Sequence, residues 1–183
     1  MKRHLVLVGL PGSGKTTVGR RVAQLLGTAF SDIDEIVAAA AGMPVAAVFA
    51  THGEPRFRRM ERAAMDGAMA APPHVIAPGA GWIAEPGNYE AARDAFLVYL
   101  RIAPEAAAAR LIGDASRPLL TGGDPADRIR ELLRAREAWY LKSGATIDAS
   151  SPPESVTRAV IEAARRGPST RPRPGPSSKQ SIQ

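Results

Sequence analysis

Apolar positions along this chain form short solid runs separated by helical stripes. Leu5-Val6-Leu7-Val8 is an unbroken apolar run, the pattern of a buried parallel strand. From Thr16 to Leu26 the apolar residues Val18, Val22, Leu25 and Leu26 keep helical spacing, and Gly27 stands where a helix stops. Residues 28–34 read as a second strand, followed by a helix over Glu35 to Ala41. After the break Gly42-Met43-Pro44 come a short helix over Val45 to Ala50, a turn at Thr51-His52-Gly53 and a longer helix over Glu54 to Met69. His74 to Ala77 is a third strand, Asn88 to Ala95 a short helix and Phe96 to Ile102 a fourth, apolar strand. Pro104 suits the first position of a helix reaching Leu111. Asp127 to Leu141 is helical, with Ile129, Leu132 and Leu133 on its buried face. Ala145 to Asp148 is a fifth strand and Pro153 to Arg165 a closing helix. Strands alternating with helices predict an α/β fold, a five-stranded parallel sheet with helices on both faces.

Two segments fall outside this pattern. Gly113 to Asp124 is polar, glycine-bearing and long for a connection, as lids often are. Gly167 to Gln183 is rich in Pro, Ser and Gly with almost no apolar residues, and is expected to be disordered. The organisation expected is one domain over residues 1–166, with a lid at about 113–124, and a basic tail over 167–183. The length of 183 residues suits that single domain.

Composition narrows the chemistry. Without cysteine there are no disulfides, thiolate zinc sites or cysteine nucleophiles. His4, His52 and His74 have no metal-ligand spacing and read as surface or loop residues. No apolar run approaches the ~20 residues of a membrane span. Met1-Lys2-Arg3-His4 leads straight into the first strand, leaving no room for a signal peptide, so a cytoplasmic protein is expected, and a monomer. The net charge is +6, but Arg171, Arg173 and Lys179 of the acid-free tail supply half of it. The rest is spread out, with no basic run interleaved with aromatics, which argues against nucleic-acid binding as a role.

The first strand leads into Gly9-Leu10-Pro11-Gly12-Ser13-Gly14-Lys15-Thr16, and a helix follows. Strand, glycine loop and helix form a phosphate site: glycines let successive N–H groups converge on an anion, and the helix N-terminus adds partial positive charge. Lys15 can reach the β- and γ-phosphates, and the Thr16 hydroxyl can ligate Mg²⁺. Lys15 is expected to pack against nothing else. Asp32 and Asp34 alternate and would face one side of an extended segment at the carboxyl edge of the sheet, although Asp34 could also be a helix N-cap. Arg58 can pair with Glu61 on one helix face. Pro78-Gly79-Ala80-Gly81 is a second glycine-rich turn at a strand end, either an ordinary turn or a close approach of backbone to ligand. With Asn88 the only asparagine, a GTPase Asn-Lys-x-Asp reader is excluded. No strand ends in the apolar run plus Asp of motor and transporter ATPases. A small kinase remains.

Over roughly residues 4–165 the sequence resembles shikimate kinase. The likeness is carried by Gly9 to Thr17, Asp32-Ile33-Asp34, Phe49, Gly53-Glu54-Pro55-Arg56-Phe57-Arg58 with Glu61, Gly79 to Gly81, Arg117-Pro118-Leu119-Leu120, and Arg136 with Tyr140. The resemblance implies a P-loop kinase fold and ATP-dependent phosphorylation of the 3-hydroxyl of shikimate. It implies that Gly12, Ser13, Gly14, Lys15, Thr16 and Thr17 hold the phosphates, and that Arg110 lies against the adenine. Thr16 and Asp32 would serve Mg²⁺. Asp34 would accept from the acceptor hydroxyl, and Arg117 would close onto the transferring phosphoryl group. Arg58 and Arg136, with Gly79, Ala80 and Gly81, would bind the acceptor, whose carboxylate the two guanidinium forks match. Four departures stand out: Ala80 in place of a middle glycine, where positive φ would cost about 1 kcal/mol; Trp82 in place of a small residue; Pro78 before the turn; and Trp139 before Tyr140. They leave open a kinase for another small hydroxy acid or a nucleotide, and, from a different class, a nucleotide-binding regulatory or nucleic-acid module.

Overall fold

A computed structural model describes residues 1–112 and 124–167. Strands β1 (Leu5–Val8), β2 (Phe30–Asp32), β3 (Val75–Ala77), β4 (Phe96–Arg101) and β5 (Ala145–Asp148) form one sheet in the order β2-β3-β1-β4-β5. Every neighbouring pair is parallel, and β1 runs in register from Leu5 opposite Phe96 to Val8 opposite Tyr99. All residues of β1 and β3, and Phe96 to Leu100 of β4, are buried. Successive residues of a strand face opposite ways, so burial of both parities means that both faces of the sheet are covered. The cover comes from α1 (Lys15–Leu26), α2 (Ile33–Ala41), α3 (Val45–Ala70), α4 (Asn88–Ala91), α5 (Pro104–Ala109), α6 (Pro125–Tyr140) and α7 (Pro153–Arg166). The connection leaving β1 heads toward β3 and β2, and the one leaving β4 heads toward β5. The carboxyl ends of these two adjacent strands are therefore the switch point at which open α/β sheets bind ligands.

Elements form where the apolar pattern places them, with local differences. The second strand stops at Asp32, because the Asp32 side chain caps α2: Oδ1 accepts from the backbone N–H of Asp34 at 3.0 Å and of Glu35 at 3.4 Å. Asp32 and Asp34 thus do not alternate on one strand, and the cap is Asp32 rather than Asp34. The expected break at Thr51-His52-Gly53 is real: Gly53, at φ 73° and ψ 168°, interrupts α3. The helix expected over Asn88 to Ala95 closes after one turn, and a turn from Ala95 N–H to the Ala92 carbonyl feeds the chain into β4. Helix α6 starts at Pro125, two residues early, capped by Asp124. The expected lid is outside the described residues at 113–123, as is the tail beyond Gly167.

His4 and His74, expected at the surface, are buried at the amino end of the sheet, edge to face with centroids 5.0 Å apart. His4 Nε2 donates to the Met69 carbonyl, and its Nδ1 accepts from the His74 backbone N–H. His74 Nδ1 donates to the Pro72 carbonyl, and its Nε2 lies 3.0 Å from the Ser31 hydroxyl. The His4 ring thus uses one nitrogen as donor and one as acceptor, which is the neutral form. Burial, then His74, hold the His4 pKa below its ordinary value. Among the described residues no single helix is long and apolar enough to cross a membrane.

Candidate active site

Two cavities open along the carboxyl edge of the sheet. The smaller, about 230 Å³, lies over the phosphate loop and is lined by Gly12, Gly14, Lys15, Thr16, Thr17, Asp32, Asp34, Ala77, Pro78, Arg110 and Leu111. Gly12 and Gly14 take φ of 76° and 88°, and a Cβ on Gly12 would stand 2.5 Å from the Ala107 carbonyl oxygen. Ser13, buried, lies between them. Lys15 does pack, contrary to the expectation: it is buried, and Nζ donates to the carbonyls of Gly9 at 2.9 Å and Leu10 at 3.0 Å. Thr16 Oγ1 donates to Asp32 Oδ2 at 2.6 Å. Arg110 Nη2 donates to the Ala149 carbonyl at 2.9 Å, while Nη1 reaches the Gly12 carbonyl at 3.5 Å, fixing the guanidinium beside the loop.

The larger cavity, about 340 Å³, has an apolar side of Pro11, Ala38, Pro44, Val45, Phe49 and Phe57 and a charged side of Asp34, Arg58, Glu61 and Arg136. Helices α2 and α3, bent by 87° against each other, supply most of both. The glycine turn forms its floor. Gly79 and Gly81 stand outside the left-handed region; what they supply is space. A Cβ on Gly79 would lie 2.4 Å from Glu61 Oε1 and 3.0 Å from Asp34 Oδ1. A Cβ on Gly81 would lie 2.7 and 3.0 Å from Arg58 Nη2 and Nη1 and 3.2 Å from Arg136 Nη2. Arg58 and Arg136, far apart in sequence, thus converge on one point, and Arg58 also pairs with Glu61. Ala80 has negative φ, so its methyl carries no strain, and it lines the cavity. Trp82 is buried outside the cavity lining.

Thr16, Asp32 and Asp34 line both cavities and are their common wall. Glu61 is 1% exposed, and burial pushes its carboxyl up to about 7 against the pull of Arg58, with Asp34 and Glu85 adding repulsion. Tyr140, fully buried, donates to the Ala80 carbonyl at 2.6 Å.

This geometry has known counterparts. The family model for shikimate kinase matches residues 11–165. The chain belongs to the shikimate kinase family. A shikimate kinase of Caldanaerobacter subterraneus subsp. tengcongensis is 41% identical over 163 residues, 88% of this chain and 95% of that protein. One of Mycobacterium avium is 40% identical over 164 residues, 88% of this chain and 93% of its own. Among solved structures, shikimate kinase from Acinetobacter baumannii in complex with shikimate superposes with a TM-score of 0.86 at 30% identity, covering 90% of this chain and 93% of that one. A gluconokinase from Sinorhizobium meliloti, at 17% identity and a TM-score of 0.60, shares the fold alone.

Family membership makes the chain an ATP-using kinase, and the residues present fit Mg²⁺ as its partner. Thr16 Oγ1 and Asp32 Oδ2 are two hard oxygens side by side, and among the described residues no group of three or more His, Cys, Asp or Glu could form an all-protein metal cage. Mg²⁺ characteristically takes one or two protein oxygens plus phosphates and waters. Sequence reasoning brought together Lys15, Thr16, Asp32, Asp34, Arg58, Gly79, Ala80, Gly81, Arg110 and Arg136. Arg117 lies outside the described residues. Glu61 as a cavity wall and Tyr140 as the tie to Ala80 were visible only as letters in a motif.

Proposed function

We propose that the two cavities are the halves of one phosphoryl-transfer site, in which the γ-phosphoryl of ATP passes to the 3-hydroxyl of shikimate. The observation that carries this reading is the common wall. Thr16, Asp32 and Asp34 face the phosphate loop on one side and the Arg58–Arg136 pair on the other. A phosphate and a hydroxyl can therefore meet only beside a carboxylate. Phosphoryl transfer asks a protein mainly for positioning and charge neutralisation. Lys15 and the loop amides of Gly12 to Thr17 hold and neutralise the β- and γ-phosphates, with Arg110 at the nucleotide end. Mg²⁺, held by Thr16 and Asp32, supplies further neutralisation of phosphate charge when bound. Asp34 accepts the proton of the attacking hydroxyl. Arg58 and Arg136 bind the acceptor carboxylate, the glycine turn floors its ring and the apolar side covers it. Arg117 we assign to the charge of the transferring group.

ATP as phosphoryl donor makes the cytoplasm the compartment in which we place the reaction, and a lone chain carries every group named. Release of ADP is measured with shikimate, with quinate and other hydroxy acids, with nucleoside monophosphates and without acceptor. Turnover should require shikimate. Turnover supported equally by quinate or a nucleotide would move the acceptor assignment, and turnover without acceptor would remove it.

A further inference from the structure

Arg136 enters the larger cavity from the last turns of α6. It converges with Arg58 beside Gly81, and two guanidiniums repel each other. Arg58 is held by Glu61, 2.7 Å away on its own helix. The helix that carries Arg136 is held from elsewhere. Tyr140 provides one tie, its hydroxyl donating to the Ala80 carbonyl at 2.6 Å.

A second tie runs the other way round the glycine turn. The chain leaves Gly81 into a 3₁₀ turn over Trp82–Ala84, and the Trp82 N–H donates back to the Gly79 carbonyl at 3.1 Å. The Trp82 carbonyl accepts from Asn88 Nδ2 at 2.8 Å. Asn88 is 3% exposed and begins α4, so a buried amide fastens α4 to the 3₁₀ turn. Its neighbour Tyr89 meets α6. The Tyr89 and Trp139 ring centroids lie 6.2 Å apart, tilted by 55°. Lys142 Nζ stands 3.6 Å from the Trp139 centroid and 5.2 Å from that of Tyr89. The Tyr89 hydroxyl also donates to the Lys142 carbonyl, at 3.4 Å. Both rings are half-buried and Lys142 is exposed, so the ammonium closes the contact from the solvent side, drawn to two ring faces at once.

The contacts form a closed circuit: glycine turn, 3₁₀ turn, α4, the end of α6 and, through Tyr140, the glycine turn again. Arg136 and Gly81 both belong to it. None of Asn88, Tyr89, Trp139 and Lys142 lines either cavity. Whatever they do to a ligand is therefore done through the residues that do.

We infer that Tyr89, Trp139 and Lys142 form a cation–aromatic clasp that sets Arg136 for the acceptor's carboxylate. The inference rests on the acceptor reading above. The clasp holds the end of α6 against the repulsion between the two guanidiniums while the cavity is empty. The acceptor then meets a preformed pair and does not have to assemble one. All three act through Arg136 and are positioning residues.

The test compares wild type, Lys142→Met, Lys142→Arg and Trp139→Leu by ADP-release kinetics, melting curves and calorimetric titration of shikimate and of its methyl ester. Lys142→Met keeps an unbranched side chain and removes the charge. The KM and Kd for shikimate should rise roughly two- to fivefold, the scale of one exposed cation–aromatic contact, while kcat and the KM for ATP hold. The preference for acid over ester should narrow. Lys142→Arg, whose guanidinium also stacks on aromatic faces, should restore it. In an Arg136→Ala background the same change at Lys142 should leave kcat/KM for shikimate where it was, because the group it acts through is gone. Shikimate affinity unchanged in both Lys142→Met and Trp139→Leu, or a loss that persists in full without Arg136, would overturn the clasp alone, provided the wild type is active on shikimate. A lowered melting temperature with equal losses for acid, ester and ATP would reduce these residues to packing and overturn it as well. A wild type that neither binds nor phosphorylates shikimate would overturn the acceptor reading and the clasp with it.

Discussion

Gly79, Ala80 and Gly81 show how unequal three adjacent small residues can be. A Cβ on either of the outer two would meet charged side chains at sub-contact distance, while the middle one carries a methyl that lines the cavity. Gly79→Ala and Gly81→Ala should each cost about 1–3 kcal/mol of stability through overpacking, and should disrupt shikimate binding because the displaced groups are Glu61, Arg58 and Arg136. Ala80→Gly should change shikimate KM and melting temperature little; a large gain on Ala80→Gly would show that the methyl obstructs the acceptor. Asp34 sits where both cavities meet. Asp34→Asn should lower kcat by roughly 10²- to 10⁴-fold, as loss of a general base does, with ATP affinity kept; a fall in ATP affinity would assign Asp34 to the metal instead. Lys15 and Thr16 were legible in the sequence because spacing within the glycine loop marks them, whereas Arg58 and Arg136 entered the site only through the family resemblance. Glu61 was not legible, because what makes it part of the site is a carboxyl facing Gly79, a juxtaposition that only the fold creates.

Elements were legible where periodicity was long and failed where capping or turn chemistry took over. The strand and helix stripes gave the sheet, the break at Gly53 and the bounds of β5. The Asp32 cap, which shortened β2, is a side-chain choice that an alternating pattern hides. Helix α6 carries a further dependence. Arg136 and Tyr140 lie one turn apart, and the Tyr140 hydroxyl ties this end of the helix to the carbonyl of Ala80, 60 residues away in sequence. Tyr140→Phe keeps the ring stacked on Tyr99 at 5.0 Å but unties helix from turn. Shikimate KM should rise about three- to tenfold, the price of a buried carbonyl left without its donor, while ATP KM holds. Equal losses for both substrates would mean general loosening of the core.

Across the whole molecule two buried groups titrate in opposite senses. Glu61 is raised from 4.5 to about 7, so the folded protein binds its proton more tightly than the unfolded chain does. Its contribution is full below pH 4.5 and is lost as pH rises through about 7, by roughly 3 kcal/mol at 1.4 kcal/mol per unit. His4 is lowered from 6.5, so its contribution is present above pH 6.5 and is lost on acidification through its lower folded value. Melting temperature from pH 4.5 to 8 should show the Glu61→Gln variant gaining on the wild type as pH rises and His4→Gln gaining as pH falls; parallel curves would remove both assignments. Asp32 has the widest reach of all. One oxygen takes the Thr16 hydroxyl and the other holds the first turn of α2, the turn that carries Asp34. Whatever draws on Asp32 from the nucleotide side therefore tugs the frame of the acceptor side. Thermodynamic reciprocity then requires that each substrate alter the other's affinity by one and the same factor, so that a single carboxylate makes two separate binding events a conversation.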